Sequence, residues 1–390
     1  MSASNTHLGR RSFLQAAAAS PLVYSLLGGT LPAAEEQSTA SGLIVREKLP
    51  ENLETPLSGF EQYITPNDLF YVRDHFARPE IDLKNWKLSI EGAVENPFTL
   101  DYEELKRQPS RSQAMLLECA GNGRSYLSPK QGGVQWTVGA VSNAEWKGVP
   151  LALLLEKARP RAGAVEVILE GADSGEVKDP PRPEQPVHFA RSLPLAKARS
   201  EEVILAHEMN GKPLPKAHGF PVRAVVGGWY GMASVKWLTR IIVTTQPFGG
   251  YFQTTTYTTW EKDDGVATMR PIRQILPKSI IVAPAPGTKV TAGKPYRVRG
   301  LAWAGEASVR QVQVSTDAGK KWSAAKLLDS ERPFSWRFWE YEWHVPQAPG
   351  MVNLLARAHD DHDRNQPLER VPDRRNYLIN NVVPVAVEVV

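Results

Sequence analysis

Cysteine is almost absent from this sequence: Cys119 is the only one in 390 residues. One cysteine forms no intramolecular disulfide. It also excludes a multi-cysteine zinc site and a cysteine-ligated iron–sulfur cluster. The CxxCH pattern that attaches a c-type haem is missing. Excess charge is scarce too, with 46 Lys and Arg against 42 Asp and Glu. No segment is basic enough, or interleaved closely enough with aromatics, to suit nucleic acid. Neither a P-loop nor a GxGxxG stretch occurs, so no familiar phosphate cradle is present. No internal repeat is visible. Redox chemistry in such a chain needs another cofactor, with electrons leaving to a partner protein.

What is present is an ordinary soluble composition, 42% hydrophobic and 23% charged. The length allows about two domains. The 31 prolines, 29 glycines and 11 tryptophans favour strands, turns and loops over long helices.

The N-terminus reads Gly9-Arg10-Arg11-Ser12-Phe13-Leu14-Gln15, then an alanine-rich apolar run to about Thr30. A charged region before a short apolar stretch is the layout of a secretory signal. The paired arginines make it similar to a twin-arginine signal, cleaved near Ala33-Ala34. Pro21 and Gly28-Gly29 break the run, which makes it a poor spanning helix. The expectation is therefore export to the periplasm by the twin-arginine machinery, with no membrane span in the mature form.

Residues 1–34 are thus expected to be signal and 35–60 an extended linker. Residues 61–262 mix short strands and helices. Trp86–Gly92 alternates like a strand, Tyr102–Lys106 reads as a helical turn, and Leu151–Ala158 reads as a helix stopped by Pro160. Val165–Leu169 and Val235–Val243 are further strand candidates, and a threonine- and aromatic-rich loop runs through Trp260. In 263–390, short alternating strands recur between turns such as Thr316-Asp317-Ala318-Gly319, the pattern of a β-sandwich.

The chemistry is concentrated in Leu116-Leu117-Glu118-Cys119-Ala120-Gly121-Asn122-Gly123-Arg124. An apolar strand carries the cysteine into a loop whose glycines allow close approach. A nearby arginine favours the thiolate, the form that binds metal. A lone buried cysteine is also what inert packing looks like. The segment nevertheless resembles the cysteine loop of the sulfite oxidase family. Further stretches resemble that family in the same order: Leu69–His75, Trp136–Ser142, Glu208–Pro215, His218–Arg223 and Ser234–Leu238. Val314–Trp322 and Arg357–Asp361 resemble its immunoglobulin-like dimerisation domain.

The resemblance implies an α+β fold. A mixed α/β molybdopterin domain of the sulfite oxidase type is followed by an all-β immunoglobulin-like sandwich. It also implies a molybdenum–molybdopterin cofactor with Cys119 as the metal ligand. Arg73, Arg124 and, through Arg375-Asn376-Tyr377-Leu378, Arg375 are implied to face the substrate. Arginine suits multi-point oxyanion recognition. Trp136 is implied as a pocket wall and Tyr257 as the tyrosine beside the metal. Tyr71, Arg73, His75, Asp173, His218, Arg223, Ser234, Val235 and Lys236 are implied cofactor contacts. Gly175 stands where an acidic residue is common, and Gly123 where some relatives carry arginine.

The implied reaction is oxidation of sulfite to sulfate by oxygen-atom transfer. Electrons would pass to an external acceptor such as a c-type cytochrome, and the chain would be a homodimer. Other readings keep the cofactor but take sulfane sulfur, nitrate or a sulfoxide as substrate. A reading of another class is a non-catalytic secreted binding module with Cys119 as inert core.

Overall fold

The computed structural model describes residues 37–177 and 180–390. The expected export signal lies outside these residues. Among the described residues, no helix is long and apolar enough to cross a membrane.

The segment expected to be a linker is folded. Strands Ile44–Glu47, Asn52–Glu54 and Val72–Arg73 pair into a small sheet. Its polar look misleads because Glu54 is buried yet well partnered. Its carboxylate accepts from the backbone of Thr137 (3.0 Å) and Gly139 (2.7 Å) and from Arg46 (2.5 Å). A buried carboxylate is tolerated when its oxygens are satisfied in this way.

Two five-stranded sheets build the first half of the molecule. One joins Arg111–Glu118, Val141–Pro150, Val203–Met209 and Lys212–Pro213, with Arg223–Val226 also paired to Val203–Met209. The other runs in the order Phe98–Leu100, Leu88–Gly92, Leu238–Thr244, Glu166–Gly175, Val187–Pro194. Only its pairing of Leu88–Gly92 with Leu238–Thr244 is parallel. Helices are short. Tyr102–Lys106 starts with a capping box between Asp101 and Glu104, and Leu151–Ala158 ends at left-handed Arg159 just before Pro160.

The expected loop through Trp260 is instead the helix Tyr251–Thr254 followed by a strand. Thr258–Asp263 pairs with Val266–Pro271 as a hairpin, so the expected boundary at 262/263 falls inside one supersecondary unit. The β-branched and aromatic residues there suit a pleated strand.

Two sheets follow, as the sandwich pattern predicts. One contains Lys278–Ala283, Pro295–Trp303, Arg337–His344 and Lys326–Leu327. The other contains Lys289–Val290, Val385–Val389, Gly350–Asp360, Val309–Ser315 and Ser323–Ala324. Val298, Val312, Trp339 and Val387 close the core between them.

Candidate active site

Strand periodicity delivers the cysteine. Along Arg111–Glu118, Leu116 points into the main core, whereas Met115, Leu117 and then Cys119 point into a second one with Tyr71, Trp136 and Trp146. The loop that follows is held tightly. Cys119 N–H donates to Ala140 O (2.9 Å), and Asn122 N–H donates to Cys119 O (2.9 Å). Glu118, on the opposite face, accepts from Asn122 Nδ2 (3.0 Å), Lys278 Nζ (3.0 Å) and Trp303 Nε1 (2.8 Å). The thiol is therefore presented on a rigid backbone.

Cys119 lines a cleft between the two sheets' loops and the Tyr257 segment. Tyr71, Arg73, His75, Asp173 and His218 line it as well. So do Arg223, Ser234, Lys236 and Tyr257. Ten residues expected at the site thus meet in one place, from segments scattered between positions 71 and 257.

The cleft is cationic, and its histidines are neutral. Arg223 is buried without an acidic partner among the described residues. Its guanidinium donates to the carbonyls of Ser234 (2.9 Å) and His218 (3.1 Å), and burial pulls its pKa down to about 10. Lys236 bonds Asp74 and the Ala217 carbonyl (3.0 Å). Burial lowers its pKa, and Asp74 opposes that shift. Arg73 bonds Asn52 Oδ1 (3.3 Å). Burial opposes its charge, but the neighbouring Tyr257, Cys119 and Glu47 carry its pKa above the ordinary value. His218 donates from Nε2 to Asn67 O (3.1 Å), which leaves Nδ1 as an acceptor. Burial, reinforced by Lys236 and Arg223, drops its pKa to about 3. His75 is lowered for the same reasons, burial first and then Arg73 and Lys236. It stacks on Phe189 at 4.1 Å, and its Nε2 lies 2.6 Å from Tyr257 Oη. Burial raises the Tyr257 hydroxyl well above its ordinary value, so it stays protonated.

The buried polar atoms without a partner among the described residues include Asp173 Oδ1, in the cleft, and Trp136 Nε1, beside Tyr71. A buried polar group without a partner needs an explanation, and for Asp173, which lines the cleft, a bound ligand supplies one. Burial pushes Asp173 up to about 7, against the pull of Lys236. Together these features suit an anionic group bearing polar rings. Arg223 and Lys236 would hold a phosphate, Asp173 and His218 would meet pterin polar atoms, and Cys119 would bind a metal. Among the described residues no three His, Cys, Asp or Glu side chains converge. A metal on Cys119 therefore takes its other ligands from the cofactor or solvent.

Four expected residues do not line the cleft. Trp136 is fully buried and stands edge-on to Tyr71, with ring centroids 6.5 Å apart. Val235 packs its side chain in the main core. Arg124 is 4% exposed and turned away: it donates to Val134 O (2.8 Å) and Asn376 O (3.1 Å), with the Tyr377 ring 5.4 Å from its guanidinium. Arg375 is exposed and bonds Thr255 O (3.0 Å) and the Thr258 hydroxyl, which ties down the outside of the Tyr257 segment. The two glycines noted as departures have local causes. Gly123 is left-handed (φ 102°), and a Cβ there would lie 3.0 Å from Ile379 Cγ2. A Cβ on Gly175 would lie 2.4 Å from the Phe76 ring.

Sequence reasoning missed Arg191, Glu118, Lys278 and Tyr377. Arg191 is 1% exposed, donates to the carbonyls of Phe252 and Ile272 (2.9 Å to the latter), and sits 6.0 Å from the Tyr257 ring. It thus spans both ends of the segment carrying Tyr257. Nothing in the local sequence marks it, since its partners are 61 and 81 residues away.

Comparison with known proteins agrees with this geometry. The oxidoreductase molybdopterin binding domain matches residues 75–252, and the Mo-co oxidoreductase dimerisation domain matches residues 270–389. Mitochondrial sulfite oxidase of Rattus norvegicus is 35% identical over 370 residues, covering 89% of this chain and 66% of that protein. The chain thus spans just under two thirds of that relative's length. Sulfite oxidase of Gallus gallus is 33% identical over 357 residues, 86% of this chain and 75% of that protein. An NADH nitrate reductase of Arabidopsis thaliana is 31% identical over 366 residues, 85% of this chain and 39% of that protein. Among solved structures, the sulfane dehydrogenase SoxCD of Paracoccus pantotrophus superposes with a TM-score of 0.75 at 28% identity. That match covers 90% of this chain and 87% of that one. Both halves of the fold and the sequence on either side of Cys119 lead to one assignment: the chain belongs to the sulfite oxidase family of molybdopterin oxidoreductases.

Proposed function

We propose that this protein oxidises sulfite to sulfate, taking its oxygen from water and releasing two protons and two electrons per turnover. The electrons go to an external carrier, a c-type cytochrome in our reading. The protein works in the periplasm after twin-arginine export and acts as a homodimer joined through its sandwich domain. The observation that carries the reading is the Cys119 thiol facing a cleft bordered by Arg73 and floored by Arg223 and Lys236. When bound, the molybdenum cofactor supplies the oxygen-atom transfer and accepts the electrons.

The residues do the rest. Arg73 neutralises and orients the dianion in a low-dielectric cleft. Arg223 and Lys236 hold the cofactor's phosphate. The Tyr257 hydroxyl, bonded to His75 Nε2, can pass a proton inward from the cleft without either group carrying charge at rest.

A second reading, oxidation of sulfur carried on a larger molecule, draws on two observations. The fold is similar to a sulfane dehydrogenase, and Arg124 is turned away so that Arg73 is the substrate-side arginine of the cleft. The test is sulfite-dependent reduction of ferricyanide by protein containing stoichiometric molybdenum. Turnover that disappears in a folded Cys119→Ser variant supports the sulfite reading. Absence of turnover in molybdenum-replete wild type removes it and favours the second.

A further inference from the structure

Tyr377 comes from the sandwich half of the chain, yet it packs against a residue that lines the cleft. Its ring centroid is 5.0 Å from that of Tyr257, which lines the cleft, at an interplanar angle of 38°. On its other side it covers the Arg124 guanidinium at 5.4 Å. It is thus inserted between the tyrosine beside the cysteine and the arginine that the sequence placed at the substrate.

The position is fixed by backbone bonds. Leu378 N–H donates to Ala120 O (2.8 Å), within the cysteine loop, and Arg124 Nε donates to Asn376 O (3.1 Å). Arg370 bonds the carbonyl of Tyr377 itself (2.7 Å). The side chain is partly buried and packs against the main core beside Tyr257. Among the described residues its hydroxyl has no hydrogen-bond partner, and it lies within electrostatic reach of Arg73, Tyr257 and Arg191. A preorganised donor beside an arginine is what a tetrahedral or pyramidal oxyanion needs for a second point of contact.

We propose that Tyr377 is a specificity-determining residue that donates from its hydroxyl to an oxygen of the sulfur oxyanion held by Arg73. Arg124 acts behind it, through the aromatic face, as a positioning residue rather than a direct contact. The inference rests on the sulfur oxyanion reading above.

Tyr377→Phe removes the hydroxyl and keeps the ring over Arg124. Two measurements on the molybdenum-loaded enzyme decide the matter: binding of sulfate by calorimetric titration, and steady-state sulfite oxidation with ferricyanide. The expected result is about tenfold weaker sulfate binding and a similar rise in the sulfite KM, with kcat within about twofold of wild type. Unchanged sulfate affinity in the variant overturns the proposal. So does a fall in kcat with KM and sulfate binding unaffected, since that would mark a role in the loop alone. A wild type that binds no sulfate overturns it as well, because there would be no oxyanion site for Tyr377 to serve. A wild type that binds sulfate but does not oxidise sulfite removes the functional reading, and the sulfate comparison still decides the role of Tyr377.

Discussion

Glu118 Oε1 and Lys278 Nζ stand 3.0 Å apart, with side chains only 1% and 2% exposed. The pair joins the residue before Cys119 to the first strand of the sandwich, and Lys278 also donates to Asn122 O (3.0 Å) inside the cysteine loop. Removing one partner of such a pair leaves an uncompensated buried charge, at a cost of about 3–5 kcal/mol. Glu118→Gln and Lys278→Met are each expected to lower the urea unfolding midpoint clearly, while the double variant loses less than the sum. Strictly additive losses would show that the two side chains are not coupled.

Arg191 bridges the carbonyls of Phe252 and Ile272 across the segment holding Tyr257. Arg191→Met leaves both unpaired in a buried place and should cost about 2–3 kcal/mol. Limited proteolysis should then cut between residues 251 and 272 faster than in wild type. Equal cleavage rates and equal unfolding midpoints would show that the bridge does not hold the segment.

The cleft holds two groups with opposite pH signatures. The folded pKa of His218, about 3, lies below its ordinary 6.5, so protonation favours the unfolded chain. Its contribution to stability is complete above pH 6.5 and is lost as pH falls toward 3. Asp173, at about 7 in the fold against 3.8, contributes stability that is complete below pH 3.8 and lost as pH rises through 7. Asp173→Asn should therefore melt higher than wild type at pH 8 and converge with it near pH 4, when followed by calorimetry on cofactor-free protein. A constant offset across that range would count against the raised pKa.

Introducing arginine at Gly123 should not add a substrate contact. The backbone there is left-handed, and the new Cβ would crowd Ile379. Gly123→Arg is expected to destabilise the protein by about 1–2 kcal/mol or more and leave the sulfite KM no lower. A lower KM at unchanged stability would show that the loop can accommodate the side chain.

Much of this was legible before the structure. The strand Val309–Ser315 and helix Leu151–Ala158 follow from periodicity and from Pro160, and the cleft residues follow from motifs around Tyr71, Cys119, His218 and Lys236. The illegible parts share one cause. Glu54, Arg191 and Lys278 are charged, and charge in a sequence reads as surface. Each is buried against partners that lie far along the chain, 83 residues away for Glu54 and Thr137 and 160 for Lys278 and Glu118. The positions of Arg124 and Arg375 outside the cleft lining have the same origin. Their motifs locate the backbone, but the distant carbonyls that capture the guanidinium groups decide where they point.

The clasp of residues 376–378 on the cysteine loop has a consequence for biosynthesis. Arg124 meets Asn376 252 residues further along the chain. A ribosome that has released the chain only as far as Tyr257 has made every cleft-lining side chain, but not the strap that fixes the loop bearing Cys119. The pocket is therefore finished last, by the domain translated after it. A chain that stops before residue 376 presents the Cys119 loop without the bonds that Asn376 and Leu378 make to it.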